Sequence, residues 1–129
     1  MAIAITSPPL LRLKRSAQSG TKAMTLANQV VYTESSTLAY IFAGAEIDLS
    51  PMLAGDVIVV TIMKQLMSAG ALVVHDQVTY SNAQPATHPA IHISAIPDVY
   101  GVAISMQQTA GVLRNIDCEF MDAKRIGLA

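Results

Sequence analysis

From Asn28 onward, apolar and polar residues alternate in short runs broken by turn residues, the period-2 signature of half-buried strands. Residues 27–33 (ANQVVYT) and 37–43 (TLAYIFA) come first, and in the second Leu38, Tyr40 and Phe42 share one parity. Gly44 punctuates, residues 45–49 give a brief strand, and the loop 50–56 has room for one helical turn. Residues 57–66 place Ile58, Val60, Ile62 and Leu66 on one face, opposite Thr61 and Gln65. After a tight connection at 67–70, where Gly70 is free to take a positive φ, residues 71–80 put Leu72, Val74, Val78 and Tyr80 inward. His75, Gln77 and Thr79 lie on the other parity. Asp76 falls on the inward one, which calls for a bulge that resets the register or a buried carboxylate with partners; the bulge is favoured. Beyond the loop 81–89, Ile91, Ile93 and Ala95 alternate with His92 and Ser94, and Pro97-Asp98 turns the chain. Tyr100, Val102, Ile104 and Met106 then share a face. In the last run Ile116, Cys118 and Phe120 oppose Asn115, Asp117 and Glu119.

No segment keeps a 3.6-residue apolar period, so the fold class is all-β. About eight strands at spacings near ten residues, joined by hairpin-type turns, predict an antiparallel β-sandwich. Eight strands in two sheets suggest a jelly roll. An immunoglobulin-like sandwich is the rival, without the Trp or the Cys pair of the antibody type. The 129 residues suit one domain, which buries roughly two-thirds of its unfolded surface.

Charge divides this domain from what precedes it. Residues 1–24 hold Arg12, Lys14, Arg15 and Lys22 and no acid, a charge of +4. Residues 25–129 set four bases against nine acids, a charge of −5, and the chain carries −1. Pro8-Pro9, Ser16, Ser19 and Gly20 suit an extended arm. The expected organisation is therefore an extended basic N-terminal arm, 1–24, on a sandwich, 25–129. Leu10, Leu11, Arg12, Leu13, Lys14, Arg15 and Lys22 would hold the arm to an adjacent subunit, with protein contact favoured over nucleic acid. The long loop 81–89 offers a second contact through Gln84, Pro85, Thr87 and His88.

Composition points the same way. Charged residues make up 13% of the chain and apolar ones 52%, where a soluble protein has about a quarter charged. Faces covered by other subunits are depleted of Lys, Glu and Asp, so a homo-oligomer is expected. No apolar run reaches the roughly 18–20 residues of a membrane span.

Candidate chemistry is thin. His88 and His92 are four apart with Pro89 between them, and on a strand that spacing is about 13 Å, too far to share a zinc ion. His75 and Asp76 are strand neighbours on opposite faces. Cys118 sits among apolar residues, where a cysteine behaves as a small hydrophobe. Asp117 and Glu119 share a face and are read as solvated, not as a glycosidase pair. There is no phosphate loop or dinucleotide fingerprint, so neither an enzyme, a cofactor nor a metal is expected.

One stretch has a familiar cadence: Gly55-Asp56-Val57-Ile58-Val59-Val60, then residues 75–81 (HDQVTYS), then Tyr100-Gly101-Val102 leading to residues 107–111 (QQTAG). Over residues 55–129 the chain resembles the small jelly-roll-like β-sandwich proteins, of minor capsid and decoration type, of prokaryotic viruses. The resemblance implies a structural role in the virion after synthesis in the host cytoplasm, packing against copies of itself and other capsid subunits. A non-enzymatic module binding carbohydrate or peptide is the alternative.

Overall fold

Alternation gives a strand one face to bury, and two sheets facing each other supply the cover. The computed structural model describes the backbone of residues 10–34, 40–98 and 100–126, and the side chains of all but 10–14, 40, 41, 97, 98 and 122–126 of these. Its strands are β1 (Leu10–Arg15), β2 (Gly20–Ala23), β3 (Gln29–Glu34), β4 (Tyr40–Asp48), β5 (Val57–Gln65), β6 (Leu72–Ser81), β7 (Ala90–Ile93), β8 (Ile96–Asp98), β9 (Val102–Ala110) and β10 (Asn115–Ile126). One sheet runs β1–β10–β4–β7, with β2 also on β10 and β8 also on β4; the other runs β3–β9–β5–β6. Because β1 and β2 share one flank of β10, and β7 and β8 one flank of β4, ten strands fill eight positions. All the pairings are antiparallel. The chain passes back and forth between the sheets, and the result is a jelly roll.

The inward parity reads as expected along the central strands. Ile58, Val60 and Ile62 of β5, Val102, Ile104 and Met106 of β9, and Ile116, Cys118 and Phe120 of β10 are all buried. Three rings bridge the layers: Tyr32 of β3 lies 4.8 Å from Phe120 and 5.2 Å from Phe42 of β4, centroid to centroid. Such aromatic pairs add about 0.5–1.5 kcal/mol beyond their buried area.

Several boundaries differ from expectation. Gly44 does not end a strand; β4 runs through it at φ +124°, beside a register shift against β10 that leaves Ala43 without a counterpart. A Cβ at Gly44 would lie 2.9 Å from the Ile93 carbonyl oxygen, so glycine there lets β4 bend while β7 stays close. Loop 50–56 holds no helical turn: Met52 N–H donates to Leu49 and Asp56 N–H to Leu53, closing two tight turns. Pro97 and Asp98 do not turn the chain but belong to β8, opposite Ile41 and Tyr40. An edge strand tolerates a proline, since no outer neighbour needs its N–H.

The N-terminal stretch also departs from the expected extended arm on a domain beginning at residue 25. Over its described residues it forms two strands of the sheet, β1 against residues 121–126 and β2 against 115–118. Around Ser16 the chain is fastened to β10: Ser16 N–H donates to the Phe120 carbonyl, and the Phe120 N–H donates to Ser19 Oγ at 2.9 Å. Met24, at its end, is a core residue. The register sets Lys14 opposite Asp122, an opposite-charge pair, and Arg12 opposite Lys124, a like-charge pair.

Candidate functional site

Three loops meet at one end of the sandwich around Asp56, whose side chain is 1% exposed. Asp56 Oδ2 accepts from the Leu53 N–H at 2.9 Å and from Arg114 Nε at 2.6 Å, and Oδ1 accepts from the Val112 N–H at 3.0 Å. The Arg114 side-chain hydrogen bond, followed by the Leu53 N–H, holds its carboxyl below the usual carboxylate range, with burial acting the other way. Beside it the buried Gln108 donates to the Ala110 and Val112 carbonyls and accepts from the Arg114 N–H. These groups satisfy the backbone of the β9–β10 turn, so they are structural.

Loop 81–89 belongs to the same end. Asn82 N–H donates to the Asp56 carbonyl and its Oδ1 accepts from Gly55 N–H, while Leu49 N–H donates to the Pro89 carbonyl. Gln84 is half-buried and donates to the Ser81 and Asn82 carbonyls. Pro85, Thr87 and His88 are exposed, and Thr87 Oγ1 lies 2.8 Å from His88 Nδ1. The loop's root is fixed and its outer residues face solvent.

The other expected contact set is spread along one sheet edge. Leu10, Leu11, Arg12, Leu13 and Lys14 take backbone positions in β1, and their side chains lie outside the described residues. Arg15 is exposed, with Nε 3.4 Å from Glu119 Oε2, and Lys22 is half-buried on β2. The face beyond them is acidic. Asp117 stands opposite Asp48 and Glu119 opposite Glu46, like charges that oppose pairing. Arg15, the Thr21 hydroxyl on Asp117, and His92, whose Nδ1 lies 2.8 Å from Glu46 Oε1, offset part of that.

The feature that sequence reasoning misplaced is β6. Leu72, Val74 and Val78 were expected to face the core, yet all three are exposed, Val74 at 62%. Among the described residues β6 is the edge of its sheet and pairs with β5 alone. The bulge at His75 sets Val74 opposite Met63 and Leu72 opposite Gln65, on the outer face, whereas Val78, opposite Val60, keeps the inner face and is left uncovered at the sheet edge. Leu66, expected beside Ile62, lies beyond β5 and is exposed, as is Met67 in the turn at 71%. The unbroken apolar run Leu72-Val73-Val74 was the available signal, because it puts apolar side chains on both faces of one strand. The bulge expected at Asp76 is present: Ile62 faces Asp76 and Met63 faces Val74, leaving His75 extra. Between β6 and β7–β8 the layers part into a groove of about 270 Å³, lined by Val60, Ile62, Val78, Tyr80, Ile93 and Ile96 with His75, Asp76 and His92 at its mouth. Burial raises the Tyr80 hydroxyl above its usual pKa, and the Asp76 carboxylate adds to the shift.

Chemical reactivity has little to work with among the described residues. No three His, Cys, Asp or Glu side chains come together to hold a metal. Cys118 is buried, its thiol pushed up to about 12 mainly by desolvation, so it is a poor nucleophile.

Strand order and layer packing thus define the chain as a single jelly-roll sandwich. Among solved structures it is similar to the VP2 subviral particle of infectious bursal disease virus, with 12% identity and a TM-score of 0.56 over 91% of this chain. It is also similar to the structure of the Gx strain of that virus, with 10% identity over 95% of this chain; that TM-score, 0.42, adds no argument. The chain spans about a third of the length of each of those chains, 32% and 34%. No family model and no curated protein matches it. At this identity the likeness shows the fold alone.

Proposed function

We propose that this chain is a structural subunit of a virus particle and works by association, not by catalysis. The observation that carries the reading is its jelly-roll strand order, shared at a TM-score of 0.56 over 91% of the chain with a protein that forms a subviral particle. Sparse surface charge and an apolar edge strand support it, since both suit faces covered by neighbours. Its partners are copies of itself and other shell subunits, its location is the virion, and a minor or decorating subunit of a prokaryotic virus is the finer reading. Contacts with neighbours run through the basic edge at residues 10–22 and through Pro85, Thr87 and His88. Sedimentation velocity and electron microscopy of the purified chain test this, and regular closed particles or assemblies larger than a dimer are expected. A single 13.7 kDa species across the whole accessible concentration range would refute it.

A further inference from the structure

A sheet edge offers unpaired N–H and C=O groups to any strand that approaches, and folded proteins usually block it with charge, proline, short length or a covering side chain. Among the described residues, three of the four edges are blocked in those ways. β1 carries Arg12, Lys14 and Arg15. β7 and β8 are four and three residues long, the second containing Pro97. On β3, the Gln18 side chain occupies the backbone of Thr33 from both sides, donating to its carbonyl at 2.8 Å and accepting from its N–H at 2.9 Å.

β6 is different. It is ten residues long, with no Lys, Arg or Pro. Within it, Asp76 Oδ1 accepts from the Gln77 N–H at 2.9 Å, so the strand's own carboxylate occupies the ladder at that point. On the other side of the bulge, Leu72, Val73 and Val74 are exposed and uncharged, and Leu66 and Met67 extend the apolar surface onto the turn.

We propose that this half of β6 is a homotypic contact, at which two copies of the chain pair their β6 strands antiparallel about a two-fold axis through Val73. The contact deepens the shell reading above by naming one partner and one surface. Symmetry fixes the parity: an axis perpendicular to the sheet keeps each side chain on its own face, so facing residues must be an even number apart. Centring on Val73 sets Leu72 of each copy against Val74 of the other, on one face, and the two Val73 side chains together on the opposite face. The next pairs are Ala71 with His75 and Gly70 with Asp76, so no like charges oppose each other. Centring on Asp76 would instead put two carboxylates face to face, which is unfavourable. A charged partner strand gains nothing from a segment that carries no charge, whereas a second copy of Leu72-Val73-Val74 covers it apolar side chain to apolar side chain. The two four-stranded sheets then become one continuous sheet of eight.

Cys118, buried and with a raised pKa, leaves the native chain without a competing reactive thiol among its described residues. Val73→Cys in the full chain should therefore form a disulfide-linked pair at twice 13.7 kDa under mild oxidation. Ser50→Cys, exposed in the β4–β5 loop at the opposite end, should link at least several-fold less. Val73→Lys should leave the circular dichroism spectrum unchanged while reducing the two-fold species measured by light scattering at least tenfold. Val73→Cys linking no better than Ser50→Cys, or folded Val73→Lys keeping its mass, overturns the proposal. Linked pairs without larger particles would uphold the contact and sink the shell reading; particles with Val73→Cys unlinked would do the reverse.

Discussion

Gly55 and Gly111 flank Asp56 with nearly the same backbone, φ +89° and +87°, but in different surroundings. A Cβ built at Gly55 meets nothing within 4 Å, whereas one at Gly111 would lie 2.6 Å from Asp56 Cα and 2.9 Å from the Gly55 carbonyl oxygen. Gly55→Ala therefore carries only the cost of a left-handed conformation in an L-residue, about 1–2 kcal/mol. Gly111→Ala carries the same cost plus the displacement of a packed backbone, about 1–3 kcal/mol more, for a total of about 2–5 kcal/mol. With a urea slope of about 2 kcal/mol per molar, the midpoints should fall by about 0.5–1 M and about 1–2.5 M. Urea unfolding followed by circular dichroism measures both, and an unchanged slope in each variant would confirm that stability alone has moved. Equal losses would refute the claim that the β9–β10 turn is pressed against the backbone at Asp56.

Three further outcomes are expected. Ser105 is fully buried and its Oγ has no hydrogen-bond partner, so Ser105→Ala should leave stability unchanged or raise it by about 1 kcal/mol, measured by the same unfolding curve. Because the folded pKa of Asp56 is depressed, its stabilisation is present above its unfolded value of about 3.9 and is lost as the pH falls through the lower folded value. The Tm deficit of Asp56→Asn should therefore be largest near neutral pH and shrink below about pH 4, and a constant deficit would contradict this. Cys118 should react with a thiol reagent at about pH 8 only after unfolding, since a raised pKa leaves little thiolate in the native state; rapid labelling of folded protein would show that its cover is incomplete.

Much of the fold was legible because the central strands are covered on their inner face, where parity and burial coincide. Ile58, Val60 and Ile62, then Ile116, Cys118 and Phe120, read directly from the alternation and are buried. The bulge at Asp76 was legible for the same reason, since a carboxylate on an apolar parity demands a change of register. The edges were not. In β6 the bulge turns Leu72 and Val74 to the outer face, and Val78, still on the inner face, is exposed because the strand lies at the edge of its sheet. The basic stretch from Leu10 read as an arm because its charges and nearby prolines suggest extension, which is also the conformation of a strand once β10 offers it a ladder. The Asp56 cluster left only two glycines and a loop aspartate in the sequence, because Val112 and Arg114, which close it, lie more than fifty positions away.

The central claim, that this jelly roll works by associating with its own kind, is tested most directly by its solution mass measured by light scattering over a wide concentration range. The account predicts a mass above 13.7 kDa that grows with concentration toward a defined assembly. A constant 13.7 kDa at the highest concentration reached, from protein that is folded by circular dichroism, would contradict it.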